Sequence, residues 1–418
     1  MVVKGAKKMN VMIVGNWATN KGDRAVLTFM VKQLQNNDSV KKIYVATTIP
    51  ELYEGRLNLG EKVCYVPFGC NVFEEKGNNI YSKIKRRFLY KKYFSICFPK
   101  MIEEINAGRR KFRRNWCDRR FYKAIQDSDY LLLTGGHHIT SMREYDSLHS
   151  LTYELGLMYL TQKPYSLWAQ TIGPLDIKED KNKQFLLKII GNADKVYIRD
   201  KNSRKSLEFM GYQSNNLHNT NDSVFGMYNF CSKNYVQEKT SGIVGISIFY
   251  SNMRRIEEVQ EYVDNMSKLC AYILGKGYHI RFFPMETEQK EIDIIQQIIR
   301  KTNQSEKIEI YDTDVITERH ILAVNECEMF VGHKTHSIIM ALTTNTPLIA
   351  LCYHEKTMDF MKMYELEEYA IDDKCYSFEW FKKQFDLLEN NREAISEQMD
   401  KKSKRYSKEV CDEFDKIF

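Results

Sequence analysis

The chain has 418 residues, with 62 Lys or Arg against 55 Asp or Glu and a formal net charge of +7. That length exceeds what one hydrophobic core usually serves, so two domains are expected; no run approaches the ~20 apolar residues of a membrane-spanning helix. Ten cysteines lie scattered with no CxxC pair, which argues against a cysteine-built metal centre or a disulfide scaffold and fits reduced thiols in the cytoplasm.

The opening MVVKGAKKMNVMIVGN has a basic head and only a short apolar stretch, so it reads as a first strand, Asn10 to Gly15, and not as a signal peptide. Lys21 to Gln35 follows as a helix, with Ala25, Val26, Phe29, Met30 and Leu34 near helical spacing. The turn between them, GNWATNKGD, carries Gly15, Asn20, Gly22 and Asp23. Strand, Gly/Asn turn and helix open a Rossmann-like unit, without the GxGxxG dinucleotide fingerprint. Asp23 is either a helix N-terminal carboxylate or a polar group facing a ligand.

Strands are expected over Lys42 to Thr48 and Lys62 to Val66. Between Lys83 and Lys123 stand fifteen Lys or Arg against three acids, Glu103, Glu104 and Asp118. The rest of the chain is therefore mildly acidic, and the positive charge is a local feature. Aromatic residues interleave with these cations, and Pro99 and Gly108 are candidate breaks in one or two helices. Three readings stand for this insertion (about residues 70–126): solvated helix faces, contact with an anionic membrane surface, and nucleic acid, for which no recognised module is present.

Asp129 to Thr134 reads as a buried strand ending in Gly135, Gly136, His137 and His138. The adjacent histidines point opposite ways on extended backbone, which favours cleft lining over a metal site. A helix over Glu144 to Leu160 leads to a strand Tyr165 to Gln170 and the turn Gln170-Thr171-Ile172-Gly173-Pro174. A helix Lys183 to Asn192 and a strand Lys195 to Ile198 follow. Arg199 and Asp200 pair or cap before a helix Ser203 to Met210, and Asp222 sits in the polar turn closing an N-terminal domain over 1–228.

Tyr228 to Ser241 is polar and aperiodic, the best linker candidate. A second alternating series occupies 240–375. Its strands are Ile243 to Ile248, His279 to Phe283, Ile308 to Tyr311 and Met329 to Val331; its helices are Ile256 to Leu274, Gln289 to Arg300 and Val315 to Asn325. The motif Gly332-His333-Lys334-Thr335-His336 then stands at the mouth of a helix. A helix start suits an anion, Lys334 adds a positive charge, and His336 can give or take a proton near neutral pH. Residues 376–418 read as a charged helical tail. Alternating strands and helices imply parallel sheets. The fold class is thus α/β, two Rossmann-like domains facing across a cleft in a GT-B-like arrangement, with the Gly-rich turns at strand carboxyl ends.

In order along residues 9 to 365, these motifs resemble those of the polysaccharide pyruvyl transferase family. The pattern runs Gly15, Asn20, Gly22, Asp23, Ala25; Gly135-Gly136; Gln170, Gly173, Pro174; Arg199, Asp200, Ser203, Leu207, Gly211; Asp222 and Phe225; and Gly332, Lys334, His336, Ala341, Pro347, Tyr353, Lys356. The family usually carries Arg two positions before the histidine; Lys334 keeps the charge and loses the forked donor geometry. The resemblance implies a GT-B-like fold and transfer of pyruvate from phosphoenolpyruvate to a glycan or undecaprenyl-linked sugar, closing a cyclic ketal without metal or cofactor. In that scheme His336 protonates the donor's methylene carbon. Lys334, Gly332, His333, Thr335, Lys356 and Arg254 hold the donor anion. Asp23, Asp222, His137 and His138 are the open choices for the acceptor base, and Gly15, Asn20, Gly22, Gly135, Gly136 and Gln170 line the acceptor side. Two other readings compete: a sugar-nucleotide glycosyltransferase, with Glu286 or Glu288 as ribose carboxylate, and a non-catalytic scaffold of glycan assembly. The expected location is cytoplasmic, peripheral at the membrane's inner face if residues 83–123 bind it.

Overall fold

The computed structural model describes residues 8–418 except 73–79, 141–149, 237, 238, 240, 251–255, 287, 288, 303, 304 and 313. It contains two compact units, one of residues 1–18, 23–223 and 409–418, the other of residues 19–22 and 224–408. Each is built on a parallel sheet, which is the α/β class expected from the alternating pattern.

In the first unit the strands are β1 (Met9–Asn16), β2 (Val40–Thr47), β3 (Val63–Pro67), β4 (Tyr130–Leu133), β5 (Gly136–Ile139), β6 (Tyr165–Ile172), β7 (Lys195–Ile198) and β8 (Leu217–Asn219). Their order is β3-β2-β1-β4-β6-β7-β8, with β5 pairing β6. β1 is central, and Val11, Met12, Ile13 and Val14 are fully buried, as a parallel strand covered on both faces requires. The order of connection reverses between β1 and β4, the place where open α/β sheets leave a crevice beyond the strand ends.

The second unit repeats this plan with β9 (Ile243–Ile246), β10 (His279–Phe282), β11 (Ile308–Ile310), β12 (Met329–Gly332), β13 (Leu348–Cys352) and β14 (Ala370–Asp372). The order is β11-β10-β9-β12-β13-β14, so the crevice falls between β9 and β12. The segment Tyr228 to Ser241, expected as a linker, begins instead as a short helix, Tyr228–Cys231. Tyr228 and Cys231 are buried, and Tyr228 Oη donates to Asp400 Oδ1 at 2.7 Å; side-chain burial overrides the polar composition. The long last helix, Phe378–Asp415, carries Phe414, whose ring meets Trp168 at 4.8 Å and Phe29 at 5.6 Å, so the final ten residues belong to the first unit's core.

One buried carboxyl in the first unit has a measurable consequence. Glu154, on the helix Ser150–Leu160, is fully buried and accepts from the N–H groups of Gly69 and Cys70 at 3.0 and 2.9 Å. Burial pushes its carboxyl from an ordinary 4.5 up to about 7, against the pull of those two N–H donors. The fold thus favours the protonated form: this stabilisation is complete below the unfolded-state value and is lost as pH rises through the folded one. The shift corresponds to about 3 kcal/mol. In thermal melts from pH 4 to 8, the wild-type chain is expected to lose stability relative to Glu154→Gln as pH rises from about 4.5, with the loss levelling off above about 7. A pH-independent offset between the two proteins would refute this assignment.

Candidate active site

The motif region lies beyond the carboxyl ends of β9 and β12. Gly332 is the last residue of β12, buried and paired with Ala350 of β13. Lys334 has extended backbone and forms the N-cap of the helix Thr335–Thr343. The turn is fastened by two serines: the His333 N–H donates to Ser247 Oγ at 3.1 Å, and the Ser337 hydroxyl donates to Lys334 O at 2.7 Å. Because Ser337 spends its hydrogen there, the 2.5 Å contact between Ser247 Oγ and Ser337 Oγ has Ser247 as donor. The sequence reading gave the His333 N–H to a donor anion; here that N–H is already spent within the turn.

His333 itself is buried. The Phe249 N–H donates to Tyr262 Oη at 3.2 Å, and Tyr262 Oη lies 2.9 Å from His333 Nδ1. Asp373 Oδ2 lies 3.4 Å from His333 Nε2. A carboxylate can only accept, so Nε2 carries a hydrogen toward Asp373. Burial pushes the imidazole pKa down, opposed by Asp373; the hydrogen bond from His333 holds the Asp373 carboxyl below its usual range. His333 is therefore a buried ring, fixed under the turn by Tyr262 and Asp373.

Lys334 and His336 form the open part. Lys334 Nζ lies 2.8 Å from Glu286 Oε1, and Asn20 Nδ2 donates to the same oxygen at 2.7 Å. Glu286 is placed by Glu291, a buried carboxylate on the helix Gln289–Thr302 that accepts the N–H groups of Met285 and Glu286 at 3.1 and 2.7 Å. Burial raises the Glu291 pKa, with Lys334 and these two N–H groups opposing. The Lys21 N–H donates to Met285 O at 3.1 Å, so residues 19–22 are laced to this turn. His336 stands against Gly22: a Cβ added there would come within 2.0 Å of His336 Nδ1. Only a residue without a side chain leaves room for the imidazole.

The remaining donor candidates are Thr335, Lys356 and Arg254. Thr335 Oγ1 donates to Tyr353 Oη at 3.1 Å and lies 2.8 Å from Thr357 Oγ1. Tyr353 stacks on Phe249 with ring centroids 3.7 Å apart. Lys356 Nζ lies 5.7 Å from the Phe360 ring centroid. Arg254 and its neighbour Arg255 lie outside the described residues.

In the first unit, Asp23 is half-buried in the first turn of the helix Lys21–Asn36, and its carbonyl accepts from Asn16 Nδ2 at 3.0 Å. Gly15 has φ +99°, and a Cβ there would stand 2.9 Å from Leu151 Cδ2. Gly135 and Gly136 are buried where β4 leads into β5. On β5, His137 Nε2 lies 2.6 Å from Gly173 O, and His138 Nε2 lies 3.3 Å from Gly135 O.

Two candidates prove to be interior. Gln170, read as acceptor lining, is fully buried and donates to Thr134 O and Trp168 O at 2.6 and 2.8 Å, tying β4 to β6. Asp222, read as an acceptor base in a polar turn, is fully buried and ion-paired with Arg199. Arg199 Nε also donates to Thr171 Oγ1 at 3.0 Å. A carboxylate sealed against a guanidinium is not available to an acceptor hydroxyl.

In the sequence Glu286 stands out only as a ribose carboxylate, and Tyr262, Asp373, Ser247 and Glu291 do not stand out at all. Glu286 had one visible signal, its position just past the β10 strand; the others follow only from three-dimensional contacts.

The profile of the family described as polysaccharide pyruvyl transferase matches residues 20–355. The chain is 20% identical over 385 residues to the amylovoran biosynthesis protein AmsJ of Erwinia amylovora, covering 87% of this chain and 88% of that protein. Among solved structures, it is similar to a putative UDP-N-acetylglucosamine 2-epimerase from Listeria monocytogenes (TM-score 0.55, 12% identity, 94% of this chain and 90% of that one). It is likewise similar to the UDP-GlcNAc 2-epimerase from Neisseria meningitidis bound to UDP-GlcNAc (TM-score 0.55, 8% identity, 94% of each chain). At these identities the likeness shows a shared fold of two Rossmann-like domains.

Proposed function

The chain belongs to the polysaccharide pyruvyl transferase family, and from that premise we propose that it moves pyruvate from phosphoenolpyruvate onto a sugar of a surface polysaccharide or of its lipid-linked precursor. The observation that carries this reading is the juxtaposition of Lys334, at a helix start, with His336, seated against Gly22.

Phosphoenolpyruvate brings about three negative charges, which suit a lysine and the positive end of a helix. His336, protonated, gives its proton to the methylene carbon, and the neighbouring carbon becomes electrophilic. A sugar hydroxyl attacks that carbon and loses its proton to a base. Phosphate leaves with the former enol oxygen, and a second hydroxyl closes the ketal as its own proton departs. With Asp222 interior, Asp23, His137 and His138 remain as the proposed bases for the hydroxyls.

Glu286 gives this donor site a specific character. Its carboxylate shares Lys334 Nζ with any incoming anion. Glu286→Gln is therefore expected to tighten phosphoenolpyruvate binding by up to about tenfold, the equivalent of 1.4 kcal/mol, as read by calorimetry. Unchanged or weaker binding would argue that the donor does not approach Lys334.

The pairing also favours a second reading. A lysine neutralised by a carboxylate suits a donor held partly through hydroxyls, as in a sugar nucleotide. One experiment separates the two: the purified chain is given phosphoenolpyruvate or a sugar nucleotide with a panel of galactosyl and N-acetylhexosaminyl acceptors. Phosphate release with an acceptor mass gain matching a pyruvate ketal supports pyruvyl transfer, and nucleotide release supports the second reading. Turnover with neither donor, and donor binding insensitive to Lys334→Ala, would leave the scaffold reading.

A further inference from the structure

Large apolar side chains are exposed at eight described positions, and six of them, Ile80, Tyr81, Ile84, Phe88, Tyr90 and Ile96, fall in one short stretch. Ile80, Ile84 and Phe88 lie one helical turn apart along the helix Ile80–Tyr90, with Tyr81 beside them, so they form a single stripe. Ile80 is 77% exposed and Phe88 68%. Leu89, on the other side of the helix by its spacing, packs against the first unit's core. The π-helical turn Lys91–Cys97 then buries Tyr93, Phe94 and Cys97. The chain is thus anchored by one face and holds the apolar stripe outward.

Charge flanks the stripe. Residues 80–97 contain Lys83, Lys85, Arg86, Arg87, Lys91 and Lys92 and no acid. Lys85 stands on one side of the stripe and Lys83 and Arg87 on the other, by helical spacing. At the end of this stretch opens a hollow of about 530 Å³, lined by Lys92, Tyr93, Arg114, Asn115, Cys117, Asp118 and Arg119. Arg114 and Arg119 are exposed and form no ion pair among the described residues.

We propose that the stripe Ile80–Ile84–Phe88, with its flanking cations, lays this protein on a bilayer surface carrying anionic lipid. The helix would lie in the interface plane, its aliphatic and aromatic side chains among the acyl chains and its lysines and arginines at the phosphates. The basic hollow would receive headgroup phosphates. Neither alternative partner fits as well. A second copy would bring six cations against six in a symmetric pairing, and aliphatic Ile80 and Ile84 offer no stacking platform to bases. This surface is independent of the donor site, and its failure would leave the pyruvyl transfer reading untouched.

The test is co-sedimentation of the full chain with phosphatidylcholine vesicles, with and without phosphatidylglycerol. Binding is expected only to the mixed vesicles and is expected to weaken with salt. The double variant Ile84→Ser with Phe88→Ser, and separately the triple Lys83→Gln, Lys85→Gln, Arg87→Gln, are expected to reduce it at least about tenfold. Both are expected to melt like wild type and to keep turnover on a soluble acceptor. Phe88→Trp supplies a readout in an otherwise intact chain, its emission shifting to the blue on mixed vesicles. The proposal is overturned by absence of binding, by equal binding to neutral vesicles, by an unshifted tryptophan, or by a dimer that the Ser variants dissociate in the absence of vesicle binding.

Discussion

Replacing His336 with glutamine is expected to lower pyruvyl turnover by about two to four orders of magnitude while donor affinity stays near wild type, because a general acid acts in the transition state and not in binding. The amide fills similar space and keeps hydrogen-bonding capacity, so the turn fastened by Ser247 and Ser337 is preserved. Two readouts make the expectation specific. The residual rate of the variant should lose the fall with rising pH that deprotonation of an imidazole acid imposes. Gly22→Ala should reproduce most of the loss without touching the histidine, since its methyl would occupy the space of the imidazole, 2.0 Å from Nδ1. Wild-type turnover in the His336→Gln variant would remove His336 from the mechanism.

Asp222→Ala is expected to cost about 3–5 kcal/mol of stability, the range for breaking a buried pair and stranding its partner. The stranded group is the Arg199 guanidinium, whose side chain is only 3% exposed. Replacing both, Arg199→Met with Asp222→Leu, should recover much of the loss, because no charge is then left buried. Denaturant unfolding measures both values. A catalytic Asp222 would give the opposite result: Asp222→Asn would lower kcat with little change in stability.

These two residues show what was legible in the sequence. Lys334 and His336 stand two positions apart, and the helix start that presents them is announced by the strand before it and the apolar run after it. Local spacing carried that information. The alternation of strands and helices likewise gave the α/β class and most strand positions. Arg199 and Asp200 read as a pair or a cap; adjacent residues on extended backbone diverge, and the cap is what forms. Asp200 caps the helix Lys201–Phe209, accepting from the Ser203 N–H, and Arg199 reaches Asp222. Glu286, Tyr262 and Asp373 come to the motif from elements far away in the chain, and no periodicity marks such contacts.

Turns misled for a related reason. Gly136 to Ile139 reads as a glycine turn with two histidines, yet it pairs with β6 as a strand; the neighbouring strand supplies what the local composition lacks. Pro99, a candidate helix break, leaves the helical run unbroken: it stands just past the π-helical turn Lys91–Cys97, at the start of Phe98–Asn106. Gly108, the other candidate break, has φ +75° just past that helix, the left-handed position at which helices end.

The space at Gly22 has a consequence for descent. A side chain at position 22 and an imidazole at position 336 compete for the same volume, so position 22 cannot gain a side chain while the ring stays. A lineage that gained a side chain at 22 would first have to surrender the ring, and one that had lost the ring would no longer be held to glycine. Histidine at 336 thus holds a glycine at a distant place in the gene, and relatives that keep the ring should keep the glycine.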